Sequence, residues 1–159
     1  MAYNLAIIGG GPGGYVAAER AAKNGMSVVL FEKNALGGVC LNEGCIPTKT
    51  LLYCAKMYEH AAHGEKFGVK AEGVSFDFSK IMDRKVRTVR RLVGGIKAKM
   101  RGAGVEVVNG EAFINGKDGD VFSIGCNGTG YTAERLLICT GSSCAVPPIP
   151  RLREAGDVI

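Results

Sequence analysis

Leu5-Ala6-Ile7-Ile8 is an apolar run with no polar position, the pattern of a short strand covered on both faces. After a glycine-rich turn, Tyr15 to Lys23 is built from helix formers and stops before Gly25, as a helix C-terminus should. Ser27 to Phe31 is a second buried-strand run that ends at an acid, Glu32. An amphipathic helix is expected from about Ile46 to His63, with Pro47 in its opening turn. In the next helix, Ser79 to Gly102, Met82, Val86, Val89, Val93, Ile96 and Met100 recur by fours and threes, giving one apolar stripe. Ser79 is its expected N-cap, and Gly94-Gly95 predicts a kink or a close approach. Beyond it the runs shorten to Val105–Val108, Ala112–Ile114, Val121–Ile124 and Gly130–Thr132, with Asn115-Gly116 and Asn127-Gly128 as hairpin turns. Leu136 to Cys139 is a last buried strand. Helices alternating with apolar strands, plus a small antiparallel meander, predict an α/β domain with a doubly wound sheet.

The first turn adds chemistry to this outline. Gly9, Gly11 and Gly14 complete G-x-G-x-x-G between a strand and a helix. The first glycine permits the tight turn, the second lets backbone approach a pyrophosphate, and the third lets helix and strand pack closely. Free N–H groups at the helix start favour an anion. Glu32, at the end of the second strand, is where an acid should meet the adenosine ribose. A glycine triplet alone is weak, but strand, glycines, helix, strand and acid in register make a specific signal. The unit does not distinguish NAD from FAD, because both use it.

Directly after it comes Gly37-Gly38-Val39-Cys40-Leu41-Asn42-Glu43-Gly44-Cys45-Ile46-Pro47-Thr48-Lys49. In a regular helix the Cα atoms of Cys40 and Cys45 would stand roughly 8–9 Å apart, too far for a disulfide. A bridge therefore requires a distorted turn, which Gly44 permits. Closing so short a loop is worth only about 2 kcal/mol, which suits opening and closing better than holding a fold. At a helix N-terminus, Cys45 would be favoured as thiolate. The bland alternative is two reduced cysteines in a glycine-rich loop.

Composition narrows the class. The 159 residues are 47% hydrophobic and 22% charged, within the globular range. With no apolar region after Met1 and no run near about 18–20 residues, secretion and membrane insertion are not expected. Six cysteines then fit a cytoplasmic chain with one redox pair and otherwise small apolar or surface thiols at Cys54, Cys126, Cys139 and Cys144. Cys40, Cys45, His60 and His63 superficially suggest zinc, but the His spacing is too short and the Cys spacing marginal, so no metal is expected. Much of the net charge of +5 comes from Lys80, Arg84, Lys85, Arg87, Arg90, Arg91, Lys97, Lys99 and Arg101. Such a face can draw nucleic acid or an acidic partner. No aromatic residues interleave it for base stacking, so a solvated surface is expected and nucleic acid is not.

From Leu5 to Leu52, and again over Leu136-Leu137-Ile138-Cys139-Thr140-Gly141-Ser142, the chain resembles the flavin-dependent pyridine nucleotide-disulfide oxidoreductases. The cysteine segment is most similar to their lipoamide-oxidising branch, the dihydrolipoyl dehydrogenases; glutathione and mercuric reductases share the frame but usually carry Val where Leu41 or Ile46 stand. The resemblance implies a Rossmann-like FAD domain. It puts Gly9, Gly11, Pro12, Gly13 and Gly14 at the pyrophosphate, Glu32 and Lys33 near the adenosine, and Gly110 and Ala112 near the adenine. Gly38, Val39, Cys40, Lys49, Thr140, Gly141 and Ser142 would lie towards the flavin, with Cys139 replacing the usual Ala. Cys45 would be the thiolate against the flavin, and Cys40 would exchange with a dithiol substrate. It also implies NAD on a domain not in this chain, a homodimer for the full-length enzyme, and a lipoamide-bearing component of 2-oxo acid dehydrogenase complexes as partner. Residues 1–146 would form the FAD-binding domain and 147–159 the start of a linker. No second G-x-G-x-x-G and no counterpart of the family's His-Glu acid-base pair occurs, so the chain is expected to be a flavin-binding portion. An NAD-binding reductase with incidental cysteines, or an interaction module using the basic helix, are the alternatives.

Overall fold

The computed structural model describes residues 2–143 and 145–151. Strands β1 (Leu5–Ile8), β2 (Val28–Glu32), β3 (Glu106–Asn109) and β7 (Leu136–Ile138) form one parallel sheet in the order β3-β2-β1-β7. Strands β4 (Ala112–Asp118), β5 (Val121–Cys126) and β6 (Thr129–Ala133) form a separate antiparallel meander. Helices α1 (Pro12–Lys23), α2 (Gly38–Asn42), α3 (Cys45–Ala62) and α4 (Phe78–Gly102) complete the order, with a 3-10 turn at Gly64–Phe67.

Why the strand runs contain no polar positions is now visible. Successive side chains point to opposite faces, and at β1 and β2 both faces of the sheet are covered, whereas the edge strand β7, expected to be buried, leaves Leu137 and Ile138 exposed. Ile7, Val28 and Leu30 pack with Ala18 of α1, Met100 of α4, Leu36 and Val105. Ala6, Val29 and Phe31 face the other way, against Ile124, Cys126 and Ala133 of the meander. Phe31 meets Tyr131 edge-on with ring centroids 5.0 Å apart, an arrangement worth about 0.5–1.5 kcal/mol beyond area burial. Tyr3 adds a tie between the layers: it bridges to Ala133 and its hydroxyl donates to the Glu106 carboxylate.

The sheet grows from β1 in two directions, outward through β2 to β3 and back to β7 on the opposite side. At such a reversal the loops after neighbouring strands diverge and leave a crevice at the strands' C-terminal ends. The doubly wound α/β plan read from the sequence is the one observed.

Several local expectations need correction. Helix α4 begins at Phe78, and its N-cap is Asp77, whose carboxylate accepts from the Lys80 N–H at 3.1 Å, not Ser79. The helix runs through Gly94 and Gly95, and a Cβ at either would meet open space, so neither marks a close approach. Asn115-Gly116 is not a hairpin turn. Strand β4 continues past it to Asp118 with a register shift between Ile114 and Gly116, a bulge, and the turn comes at Gly119-Asp120. Asn127-Gly128 is a two-residue hairpin, with φ of 51° and 76° at its two positions. The tail expected as a linker is described only as far as Arg151; Cys144 and residues 152–159 lie outside the described residues.

Candidate functional site

A cleft of about 990 Å³ opens at the C-terminal ends of β1, β2 and β7. It is bounded by the Gly9–Gly13 turn, by Glu32 to Ala35, by Gly38 to Cys40, by Gly110 to Ala112, and by Cys139 to Ser143. At the top of the range for small-molecule sites, this size suits an extended ligand such as a dinucleotide.

Backbone crowding explains the glycines. Gly9 has φ +105°, and its amide donates to the Phe31 carbonyl at 2.8 Å. A Cβ there would collide with the Cys139 carbonyl, which belongs to the far end of the sequence. A Cβ at Gly14 would collide with the Gly9 carbonyl, so the start of α1 can press onto the turn only without a side chain. Gly11 is different. A Cβ at that position would touch protein only at Gly38 Cα, 3.8 Å away; the space beside it is left for something else. Pro12 is the first residue of α1 and costs the helix no donor it needs. The N–H groups of Gly13 and Gly14, in the first turn, have no intrahelical acceptor, and with the positive end of the helix dipole they make an anion site.

Glu32 is 9% exposed and is oriented at both oxygens: Gly10 N–H donates to Oε2 and Asn34 N–H to Oε1, each at 2.7 Å. Its carboxylate keeps further acceptor capacity towards the cleft. Gly10, outside the glycine triplet, is a residue the sequence reading missed. A Cβ there would lie 2.7 Å from Leu36 Cδ2 and 3.1 Å from the Glu32 side chain, so its bareness allows its amide to reach the acid. The signal available was the Gly9-Gly10-Gly11 run itself. Lys33 and Glu111, both on the cleft wall, pair at 3.1 Å and are more than half exposed. The Gly110 amide donates to the Glu32 carbonyl at 2.9 Å, which joins the approach to β4 to the end of β2.

The cysteine segment departs from a regular helix. Helix α2 ends at Asn42, and Glu43 and Gly44 both donate to the Val39 carbonyl, at 2.9 and 2.6 Å. A new helix, α3, then starts at Cys45 itself. This break brings the two thiols together. Hydrogen bonding with the Cys45 side chain, with burial and the Cys45 charge adding to it, pushes the Cys40 thiol up, while the nearby Lys49 charge opposes the shift. Both cysteines are free thiols here, Cys40 half-buried and Cys45 exposed. Cys40 lines the cleft with Gly38 and Val39; Cys45 and Lys49, one turn apart on α3, are not among the lining residues. Thr140, Gly141 and Ser142 line it from the opposite side, and Cys139 lies against Gly13, its Sγ 3.5 Å from where a Cβ would stand.

The four residues weighed as a zinc set are not brought together. His60 is in the last turn of α3, and at about 1.5 Å per residue it stands roughly 22 Å along the axis from Cys45. Among the described residues no helix is long and apolar enough to cross a membrane.

Residues 3–158 match the family model described as pyridine nucleotide-disulphide oxidoreductase. Among curated relatives, a dihydrolipoyl dehydrogenase of Acholeplasma laidlawii is 45% identical over 96% of this chain and 45% of its own length. That of Geobacillus stearothermophilus is 45% identical over 86% of this chain and 29% of its own length. The chain thus spans less than half the length of either. Of solved structures, the Cu(II) complex of the HOCl-induced flavoprotein disulfide reductase RclA from Escherichia coli superposes with a TM-score of 0.73 at 30% identity, over 94% of this chain and 30% of that one. LpdA from Mycobacterium tuberculosis shares the fold, with a TM-score of 0.80 at 23% identity over 91% of this chain and 33% of that one. A glycine turn with free amides at a helix start, Cys40 of the cysteine pair lining the same cleft and a match along almost the whole sequence lead to one conclusion: the chain belongs to the pyridine nucleotide-disulphide oxidoreductase family.

Proposed function

We propose that this chain is the FAD-binding, dithiol-bearing portion of a dihydrolipoyl dehydrogenase, which oxidises the dihydrolipoamide of 2-oxo acid dehydrogenase complexes and passes the electrons to NAD. The observation that carries the reading is that Cys40, paired with Cys45, lines the cleft floored by the Gly9–Gly14 turn. Gly11, Gly13 and Gly14 would hold the pyrophosphate of FAD, with Glu32 and Lys33 at the adenosine and Gly110 and Ala112 at the adenine. Gly38, Val39, Lys49, Thr140, Gly141 and Ser142 would border the flavin end. When bound, FAD supplies a two-electron acceptor for the reduced dithiol. Residues 1–146 form this cofactor domain in the proposal, and 147–159 lead out of it towards a nicotinamide-binding part.

The chain's own share of the chemistry is thiol–disulfide exchange. A substrate thiolate attacks Sγ of Cys40 in the Cys40–Cys45 disulfide; the bond between the two cysteines breaks, and Cys45 leaves as thiolate. The second substrate thiol gives up its proton and attacks the substrate sulfur of the mixed disulfide. Cys40 is released as thiolate and the substrate closes into a cyclic disulfide. Two electrons then rest on the cysteine pair and two protons have left the substrate. Lys49, whose charge acts on Cys40, stabilises the anionic forms. The exposure of Cys45 and the half-exposure of Cys40 leave room for a substrate on a flexible arm.

The test is a half-reaction. The chain is incubated with FAD and desalted, and the Cys40–Cys45 bridge is followed by mass spectrometry under non-reducing conditions. Retained flavin absorbance, with a bridge that dihydrolipoamide opens faster than glutathione, is the expected result. A colourless protein after FAD addition, or two freely alkylated thiols after oxidation, overturns the proposal. Faster opening by glutathione transfers it to another disulfide substrate.

A further inference from the structure

On the opposite side of the sheet from the meander, a second concavity of about 300 Å³ lies between the C-terminal half of α4 and the edge strand β3. It shares no lining residue with the large cleft. Its floor is apolar, formed by Leu36 and Met100, both buried, and by Val107 of β3. Its rim is cationic. Lys97 and Arg101 stand four apart on α4 and therefore on one helix face. Among the described residues neither is in an ion pair. The neighbouring acids are engaged elsewhere: Glu19 with Lys23 at 2.7 Å and Lys99 at 3.8 Å, and Glu106, on the other face of β3, with the Tyr3 hydroxyl. Asn109 closes the end, its side chain making no hydrogen bond among the described residues.

We infer that this groove binds a small organic anion with an apolar tail, of the class of a short-chain carboxylate. Each half of the site asks for one half of such a molecule. The guanidinium of Arg101 presents a fork that matches a carboxylate, and the Lys97 ammonium adds a point charge. An inorganic anion would leave the part-exposed Val107 without an apolar partner, and a neutral hydrocarbon would leave two cations without one. The volume is at the small end of the range for ligand sites, which limits the tail to a few carbons. Although the groove is separate from the cofactor cleft, the two are back to back. Leu36 packs under Gly10, and Asn109 precedes Gly110 of the cleft wall.

Titration of the isotopically labelled chain with hexanoate, with hexan-1-ol as neutral control, tests this by amide chemical shifts. Saturable shifts confined to the last turns of α4 and to β3 are expected, with hexanol at least about tenfold weaker, the loss of charged hydrogen bonds. The double variant Lys97→Met, Arg101→Met keeps the long apolar stems and should bring hexanoate down to the hexanol level while helical circular dichroism is retained. Absence of saturation, equal binding of the two probes, or shifts that centre on Gly9–Gly14 each overturn the inference. Should the variant fail to fold, the two probes on the unaltered chain still decide. Flavin retention reads the large cleft independently, so the two readings fail separately.

Discussion

The glycine turn and the dithiol segment are neighbours on one cleft, yet they are held in opposite ways. The turn is fixed by backbone: Gly9 against the Cys139 carbonyl, Gly14 against Gly9, and Glu32 clamped between two amides. The dithiol is placed by a break between two helices and is left accessible, with Cys45 exposed. At Gly9 and Gly14 the first region tolerates no added atom, and the second keeps its reactive atoms where a partner can reach them. Binding wants a preformed cradle, since ordering it afterwards would cost affinity; exchange wants an attackable sulfur.

Gly14→Ala should break the contrast most severely. The added methyl must displace the Gly9 carbonyl, and overpacking of this kind costs about 3 kcal/mol or more. Denaturant titration should show the loss, and flavin retention should vanish with it. Cys45→Ala, on the exposed side, should change stability by no more than about 0.5 kcal/mol and leave flavin binding intact, while exchange with dihydrolipoamide is abolished. The same variant removes the hydrogen bond that most raises the Cys40 thiol, so the pH midpoint of Cys40 alkylation should move down. Glu32→Gln replaces two charge-assisted acceptors with one amide oxygen and a donor facing an N–H, and flavin affinity should fall about tenfold. Smallest of all is Lys49→Met. Its charge lowers the Cys40 thiol, so the alkylation midpoint should move up, with stability unchanged. An effect of Gly14→Ala confined to kinetics, or a collapse of the fold in Cys45→Ala, would erase the distinction.

How much of this was legible in the sequence depended on whether the constraint was local. Leu5–Ile8 and Ser27–Phe31 read as buried strands because a strand covered on both faces favours an apolar run. The tight turn at Gly9 and the close packing at Gly14 were legible because a turn between strand and helix has few solutions. Asn115-Gly116 misled because the same dipeptide serves a hairpin turn or a bulge; which one is decided by the pairing of β5 across from it, a non-local fact. Asp77 and Ser79 are both acceptable caps two residues apart, and the choice of Asp77 follows from where Phe78 enters the helix. Gly10 was overlooked because its role depends on Leu36 and Glu32, more than twenty positions away. The side-by-side approach of Cys40 and Cys45 was legible only as a requirement for distortion at Gly44; the Val39 carbonyl that accepts both turn amides had no sequence signature.

Because the wall of the cradle is finished by Cys139 to Ser143, strand β7 must add to β1 before the pocket exists. A ribosome translating this message would have passed β7 before the cleft could take a ligand. On the proposed reading flavin loading is therefore a late event in biogenesis, and a nascent chain arrested before residue 139 should remain colourless in the presence of excess flavin.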